Sequence, residues 1–90
     1  MAKPQLKANG YSPTEVRVFN ALVKAESPMT SDQLLPKIYR AGDRPYHARI
    51  VVNSTVHRLA EKMDINREAY KIKRVKRKGA RLIETALVRR

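Results

Sequence analysis

Apolar residues recur at helical spacing in three stretches of the chain. In the first stretch they fall three or four residues apart on one side of a helix: Val16, Phe19, Leu22 and Val23. Residues 12–15 (S-P-T-E) form a capping box, because the serine hydroxyl and the glutamate carboxylate can each accept from a backbone N–H at the helix start. Proline stands at the first helical position, where its missing N–H costs nothing. We predict a helix over residues 13–25, with Tyr11 packing against Val16.

The second stretch opens with the same signal. Residues 30–33 (T-S-D-Q) repeat the capping pattern, and four apolar residues follow: Leu34, Leu35, Ile38 and Tyr39. We predict a helix over residues 31–40 that Gly42 brings to an end. Pro36 removes a backbone hydrogen bond inside this helix, so a kink or a tightened first turn is expected. Residues 27–29 form a short extended link between the two helices.

The third stretch is the longest, and we predict a helix over residues 45–63. Its apolar stripe repeats at spacings of four, four, three and four: Ala48, Val52, Val56, Leu59 and Met63. At about 100° per residue, the far side of this helix carries another set of residues, flanked by Ile50 and His57: His47, Val51, Ser54 and Arg58. The stripe is predicted to face the core and the second set to face solvent or a ligand.

The last patterned segment reads as a β-hairpin over residues 70–84. Tyr70, Ile72 and Val75 precede a Lys78-Gly79 turn, and Leu82 and Ile83 follow it. A helix is disfavoured because residues 71–81 hold seven bases and no acid, which would crowd like charges on successive turns. We therefore predict two basic strands.

Charge is concentrated in the same part of the chain. The 90 residues carry a net charge of +12, of which +9 falls in residues 46–90 and +3 in residues 1–45. A surplus of this size in a small folded domain favours a polyanionic partner, with nucleic acid first. We expect residues 1–10 to be a flexible basic arm, residues 11–84 to be the domain and residues 85–90 to be a tail.

The order of these elements is that of a winged helix-turn-helix, an α+β fold with three helices followed by a basic β-hairpin wing. Residues 11–15 (Y-S-P-T-E) and 31–35 (S-D-Q-L-L) resemble the L-T-P-T-E and S-R-E-Q-L-L motifs of the effector domain of OmpR/PhoB-type response regulators. Residues 52–59 (V-N-S-T-V-H-R-L) and 72–82 (I-K-R-V-K-R-K-G-A-R-L) resemble its recognition helix and wing. The similarity spans about residues 11–83, without the family's N-terminal sheet and receiver domain.

This resemblance implies roles for particular residues. Ser54 and Arg58 match base-facing positions of the family, and helical geometry places His47 and Val51 on the same side, so these four are the predicted base contacts. Val51 fits packing inside the protein equally well. Six wing bases are predicted to contact the DNA backbone or minor groove: Lys73, Arg74, Lys76, Arg77, Lys78 and Arg81. Tyr46 and Tyr70 are further candidates for ligand contacts.

Two classes of function agree with these features. The first is a sequence-specific double-stranded DNA-binding regulator of transcription, with helix three in the major groove and a second copy joining on DNA. The second is a winged-helix module that binds RNA polymerase or another regulator, and a structured-RNA binder is a third reading. The polarised basic face favours DNA.

Several classes of chemistry find no support in the sequence. There is no cysteine, the two histidines are badly spaced for a metal, and no Gly-rich phosphate loop is present. The acids are scattered away from the histidines, so we expect a non-enzyme with no cofactor, metal or small-molecule ligand. Without an apolar span or leader pattern, we expect a cytoplasmic, nucleoid-associated protein with no membrane partner.

Overall fold

A computed structural model describes residues 5–25 and 27–84 of the chain. Three helices are followed by an antiparallel hairpin, and a one-turn 3-10 helix, Ala41–Asp43, precedes the third helix. The helices are α1 (Pro13–Lys24), α2 (Ser31–Ile38) and α3 (Ala48–Ile65), and the strands are β1 (Tyr70–Val75) and β2 (Gly79–Glu84). The predicted α+β winged-helix fold is confirmed. The predicted tail, residues 85–90, lies outside the described residues.

Helix α1 begins as predicted and ends one residue early. The N–H of Glu15 donates to the Ser12 hydroxyl at 3.1 Å, and the N–H of Ser12 donates to the Glu15 carboxylate at 2.8 Å. The predicted stripe is wrong in part, because Val18 is fully buried while Val16 is 37% exposed. The helix is rotated so that Glu15 also points inwards, and this carboxylate has a partner on α3.

Helix α2 is shorter than the sequence predicts. Thr30 and Gln33 form its capping box, and the helix runs through Pro36 to Ile38 with Leu34 and Ile38 buried. The N–H of Tyr39 makes the last bond, to the carbonyl of Leu35 at 2.9 Å, after which the chain is extended. Gly42 therefore lies in the 3-10 turn and does not end the helix.

Helix α3 begins three residues later and ends two residues later than predicted. Every residue of its predicted core stripe is buried: Ala48, Val52, Val56, Leu59 and Met63. Beyond Ile65, the N–H of Glu68 bonds the carbonyl of Met63 at 3.0 Å while Arg67 adopts a positive φ of 53°. This is a Schellman motif with arginine at the position where glycine is usual. Without a glycine to mark the C-terminus, the sequence predicted the end of the helix two residues too early.

The two strands pair as an antiparallel hairpin, and an isolated bridge joins the outer edge of β2 to Met29. Tyr70 pairs with Glu84, Ile72 with Leu82 and Val75 with Gly79. On the other side of β2, Met29 and Ala80 exchange two backbone hydrogen bonds of 2.9 and 2.8 Å. The link between α1 and α2 is thus extended, as predicted, and it ties the helices to the hairpin.

Glu68 holds part of the predicted N-terminal arm against the domain. Its buried carboxylate accepts from the backbone N–H groups of Lys7 and Ala8, each at 3.0 Å, and from the Tyr11 hydroxyl at 2.8 Å. Leu6 also packs on the core. Residues 6–8 of the predicted arm thus contact the domain, residues 1–4 lie outside the described part, and the flexibility of the arm stays a prediction.

A second buried carboxylate joins α1 to α3. The Lys62 ammonium donates to Glu15 at 2.8 Å and to the carbonyl of Gly10 at 3.0 Å. Burial by itself raises the pKa of each carboxyl, but the hydrogen bonds outweigh it and hold the pKa of Glu15 and of Glu68 below the ordinary value of 4.5. Both groups therefore stabilise the fold in their charged form.

Acidification should remove this stabilisation. Because the folded pKa values lie below the unfolded value, the contribution is complete above about pH 4.5 and is lost as pH falls through the folded values. Glu68→Gln should lower the free energy of unfolding at pH 7 by about 1–3 kcal/mol, and the difference from wild type should shrink as pH falls below 4.5. Urea unfolding between pH 7 and 3 measures it, with the exposed Glu61→Gln as control. A difference independent of pH would contradict this role of Glu68.

Candidate nucleic-acid interface

The surface of α3 away from the core is formed by four residues at helical spacing, here called the outer face: Ile50, Ser54, His57 and Glu61. Ile50 is 65% exposed and Ser54 is exposed. The imidazole Nε2 of His57 contacts the Glu61 carboxylate at 3.3 Å, so acidic charge lies towards the C-terminal end of this face. The N-terminal half is the part suited to an anionic ligand.

The four predicted base contacts differ in where they sit on α3 and in how exposed they are. His47 is the N-cap residue of α3, with φ −107° and ψ 47°, and it is exposed. Val51 is half-buried, and its carbonyl accepts from the Thr55 hydroxyl at 2.7 Å. Ser54 and Arg58 are exposed, as is His47, so a groove could reach these three side chains.

The wing lies along the flank of α3 that carries Asn53. The guanidinium Nη1 of Arg74 donates to Oδ1 of Asn53 across 3.4 Å, and both side chains are exposed. Arg58 lies about 140° away from Asn53 around the helix. Sequence reasoning missed Asn53, although its place next to Val52 in the core stripe puts it on a flank.

Strand alternation separates the wing bases into two faces. Arg74 shares the side of the hairpin that faces the core with Tyr70 and Ile72, which are half-buried and pack against the core. Lys73 lies on the side of the hairpin that faces away from the core, directly opposite Arg81 on β2. Like charges facing each other across strands are destabilising without a counter-charge.

Three bases form the tip of the wing, defined as Lys76, Arg77 and Lys78. All three are exposed, and the N–H of Lys78 donates to the carbonyl of Val75 at 3.0 Å to close the turn. Arg77 has a positive φ of 65°, and Gly79 follows with 102°. The turn thus presents three adjacent positive charges at the end of the domain.

The described ion pairs leave these wing charges uncompensated. Within residues 5–25 and 27–84, the pairs join Arg49 to Asp32, His57 to Glu61 and Lys62 to Glu15. No base of the hairpin takes part in any of them. Among these described ion pairs, an anion that approached the tip of the wing would therefore compete with no carboxylate.

Tyr46 stands out at the N-terminal end of α3. It is 94% exposed, and its ring meets the edge of His47 with centroids 4.4 Å apart. The sequence left Tyr46 as a candidate ligand contact, and its exposure is consistent with that role.

The described residues offer little for other chemistry. Among them, no three His, Cys, Asp or Glu side chains come together as metal ligands. No helix within the same ranges is long and apolar enough to cross a membrane.

Comparisons with known proteins bear on the fold. No protein-family model matches the chain, and no curated protein matches it. Among solved structures, ScpB from Mycobacterium tuberculosis is similar over 92% of this chain, with a TM-score of 0.68 and 14% sequence identity. The chain spans about half of that protein, covering 47% of its length. This likeness supports the winged-helix fold, while the resemblance to the OmpR/PhoB-type effector domain stays a prediction.

Proposed function

We propose that this chain is a sequence-specific double-stranded DNA-binding protein that regulates transcription without catalysing a reaction. The observation that carries the proposal is the continuity of an exposed recognition surface on α3 with an uncompensated basic wing. In winged-helix proteins of this kind, a helix enters the major groove and the wing contacts the flanking backbone. The proposal assigns these places to the outer face of α3 and to the tip of the wing.

Charge favours DNA over a protein partner. A groove of duplex DNA is lined by phosphates on both sides, which suits the tip of the wing and the outward Lys73 and Arg81. Ile50 is a large apolar residue, 65% exposed in the N-terminal half of α3, and can pack on a thymine methyl. The likeness to ScpB supports the fold of such a module and does not itself choose the ligand.

The tip of the wing should supply affinity for any duplex. Replacing Lys76, Arg77 and Lys78 together with alanine removes up to three phosphate contacts, each worth about 0.9 in the slope of log K against log salt. We expect that slope to become shallower by about 2.7, with equal loss on selected and random DNA. Fluorescence anisotropy between 50 and 300 mM salt would measure both quantities.

A matched control removes the same charge elsewhere. Arg17, Lys24 and Lys37 are exposed on α1 and α2, and their joint change to alanine also lowers the net charge by three. This control should leave the slope nearly unchanged. Equal slopes for the two triple variants would mean that net charge acts without a defined wing contact, and the proposed docking would be wrong.

Arg58 should contribute specificity. An exposed arginine on a helix in the major groove typically contacts guanine through two hydrogen bonds, which discriminate by about 1–3 kcal/mol. Arg58→Ala should therefore lose preference at one position of a selected site and retain most of its affinity for random DNA. Competition binding against single-base variants of the site measures this. Equal loss on selected and random duplexes would instead make Arg58 a phosphate contact.

A further inference from the structure

We propose that Asn53 is a second specificity-determining residue and that Arg74 positions it so that it selects guanine. This inference rests on the proposed function, because it needs α3 in the major groove. It changes the role predicted for Arg74 from a backbone contact to a positioning residue on the α3 side of the wing.

Arg74 lies opposite the residue of β2 that contacts the link between α1 and α2. Its cross-strand partner is Ala80, which is buried and is bonded on its other side to Met29 through two backbone hydrogen bonds. Arg74 therefore lies across the hairpin from an isolated bridge that joins β2 to residue 29, two residues before α2. The tip of the wing, by contrast, extends beyond the last cross-strand pair, Val75 with Gly79.

The side chain of Arg74 is directed to α3. Alternation places Arg74 on the same face as Ile72, which packs on the core, and its Nη1 reaches Oδ1 of Asn53 at 3.4 Å. Asn53 lies between the outer face and the wing, three residues after Ile50 and adjacent to Ser54. It is exposed, so its amide is accessible to a base edge on the same side as Ser54.

The hydrogen bond decides what Asn53 can offer. A free asparagine typically pairs with adenine, accepting from N6 through its oxygen and donating to N7 through its nitrogen. When Oδ1 accepts from Arg74, the amide presents its Nδ2 donors to the groove, and Arg74 adds further N–H donors beside them. Guanine carries acceptors at both N7 and O6, whereas adenine would place its N6 donor against donors. The pair therefore favours guanine.

Each substitution then predicts a different base. Arg74→Ala frees the oxygen of Asn53, so the preference should move from guanine towards adenine. Asn53→Asp keeps an acceptor for Arg74 but loses the amide donors, so the preference should move towards cytosine, whose N4 donates to carboxylates. Asn53→Ala should leave no preference at this position. A merely structural role for Arg74 would weaken binding without changing which base is preferred.

The experiment selects sites from a pool of random-sequence duplexes with the full chain and its variants. Wild type, Arg74→Ala, Asn53→Asp and Asn53→Ala are compared with Lys76→Ala, a wing-tip control that should keep the same site. Thermal melting checks that each variant is folded. We expect wild type to favour guanine at one position by about 5- to 150-fold, with the changes of base described above.

The outcomes separate this inference from the proposed function. If wild type selects a site but the Asn53 and Arg74 variants select the same one, Asn53 does not read bases and only the inference fails. If Arg74→Ala behaves like Lys76→Ala, with uniform loss and a shallower salt slope, Arg74 is a phosphate contact and the positioning role is wrong. If wild type selects no sequence at all, the inference and sequence-specific binding fail together.

Discussion

Leu59→Ala is expected to destabilise the domain by about 2–5 kcal/mol. Leu59 is fully buried in the middle of α3, within the core that α1 and α2 complete. The loss combines the transfer free energy of the removed carbons with the cavity that remains, because packed helices relax only partly. A domain of this size has about 5–13 kcal/mol of stability in total, so a large fraction would be lost.

The matched control for Leu59 is Ile50→Ala on the same helix. Ile50 is 65% exposed, and alanine is the better helix former, so stability should stay within about 0.5 kcal/mol of wild type. Urea unfolding of both variants measures the difference. If Leu59→Ala unfolded like wild type, the inward face of α3 would be misassigned, and the outer face assigned to DNA would be misassigned with it.

Gly79→Ala is expected to lower the stability of the domain more than an alanine at either of the other two glycines. Gly79 has a positive φ of 102°, and a Cβ placed on it would overlap the backbone carbonyl of Met29 and the backbone nitrogen of Thr30. An alanine with this positive φ costs about 1–3 kcal/mol in backbone strain. Moving β2 away from Met29 to relieve the overlap would also break both Met29–Ala80 hydrogen bonds, each worth about 1 kcal/mol. We expect a total loss of about 3–5 kcal/mol.

Two other glycines separate the causes of this effect. Gly10 also has a positive φ, 96°, but a Cβ there meets nothing within 4 Å, so Gly10→Ala should cost the backbone strain alone. Gly42 does not adopt a left-handed backbone, and a Cβ there also meets nothing within 4 Å, so Gly42→Ala should be nearly neutral. The free energies of unfolding of the three alanine variants, together with hydrogen exchange at the amides of Met29 and Ala80, measure these differences. Equal losses for Gly79→Ala and Gly10→Ala would mean that the close approach of Met29 contributes nothing.

The Gly79 contact also matters for the proposed DNA interface. The bridge between Met29 and Ala80, which lies opposite Arg74, holds the wing against the helices together with the core packing of Tyr70, Ile72 and Leu82. A variant that breaks the Met29–Ala80 bridge should therefore lose specific binding although the tip of the wing keeps its charge. Gly79, Ala80 and Met29 are therefore expected to affect both the stability of the domain and its specific binding of DNA.

Much of the fold was predictable because its signals are local. Both capping boxes place a side chain against a backbone group three residues away, so the starts of α1 and α2 could be predicted before the structure was known. The regular spacing along α3 correctly identified its buried stripe, since period alone defines a face. The basic hairpin followed from alternation and charge.

The same reasoning failed where distant residues compete. Val16 and Val18 suit a core equally by composition, and the contact between Glu15 and Lys62 of α3 accompanies the rotation that buries Val18. Likewise, nothing near Glu68 in sequence indicates that its carboxylate binds the N–H groups of Lys7 and Ala8, some sixty residues away. These choices depend on which groups the tertiary fold brings together.

The amino-acid sequence by itself determined the order of elements, the inward face of α3 and the concentration of positive charge in the wing. Each of these depends on spacing or composition within a few residues. The tertiary structure alone decided that Asn53 faces Arg74, that Met29 pairs with Ala80 and that Arg58 lies on the flank away from the wing. Those relations arise from how α3 and the hairpin pack, because helical phase defines directions around one helix but not which neighbour occupies them.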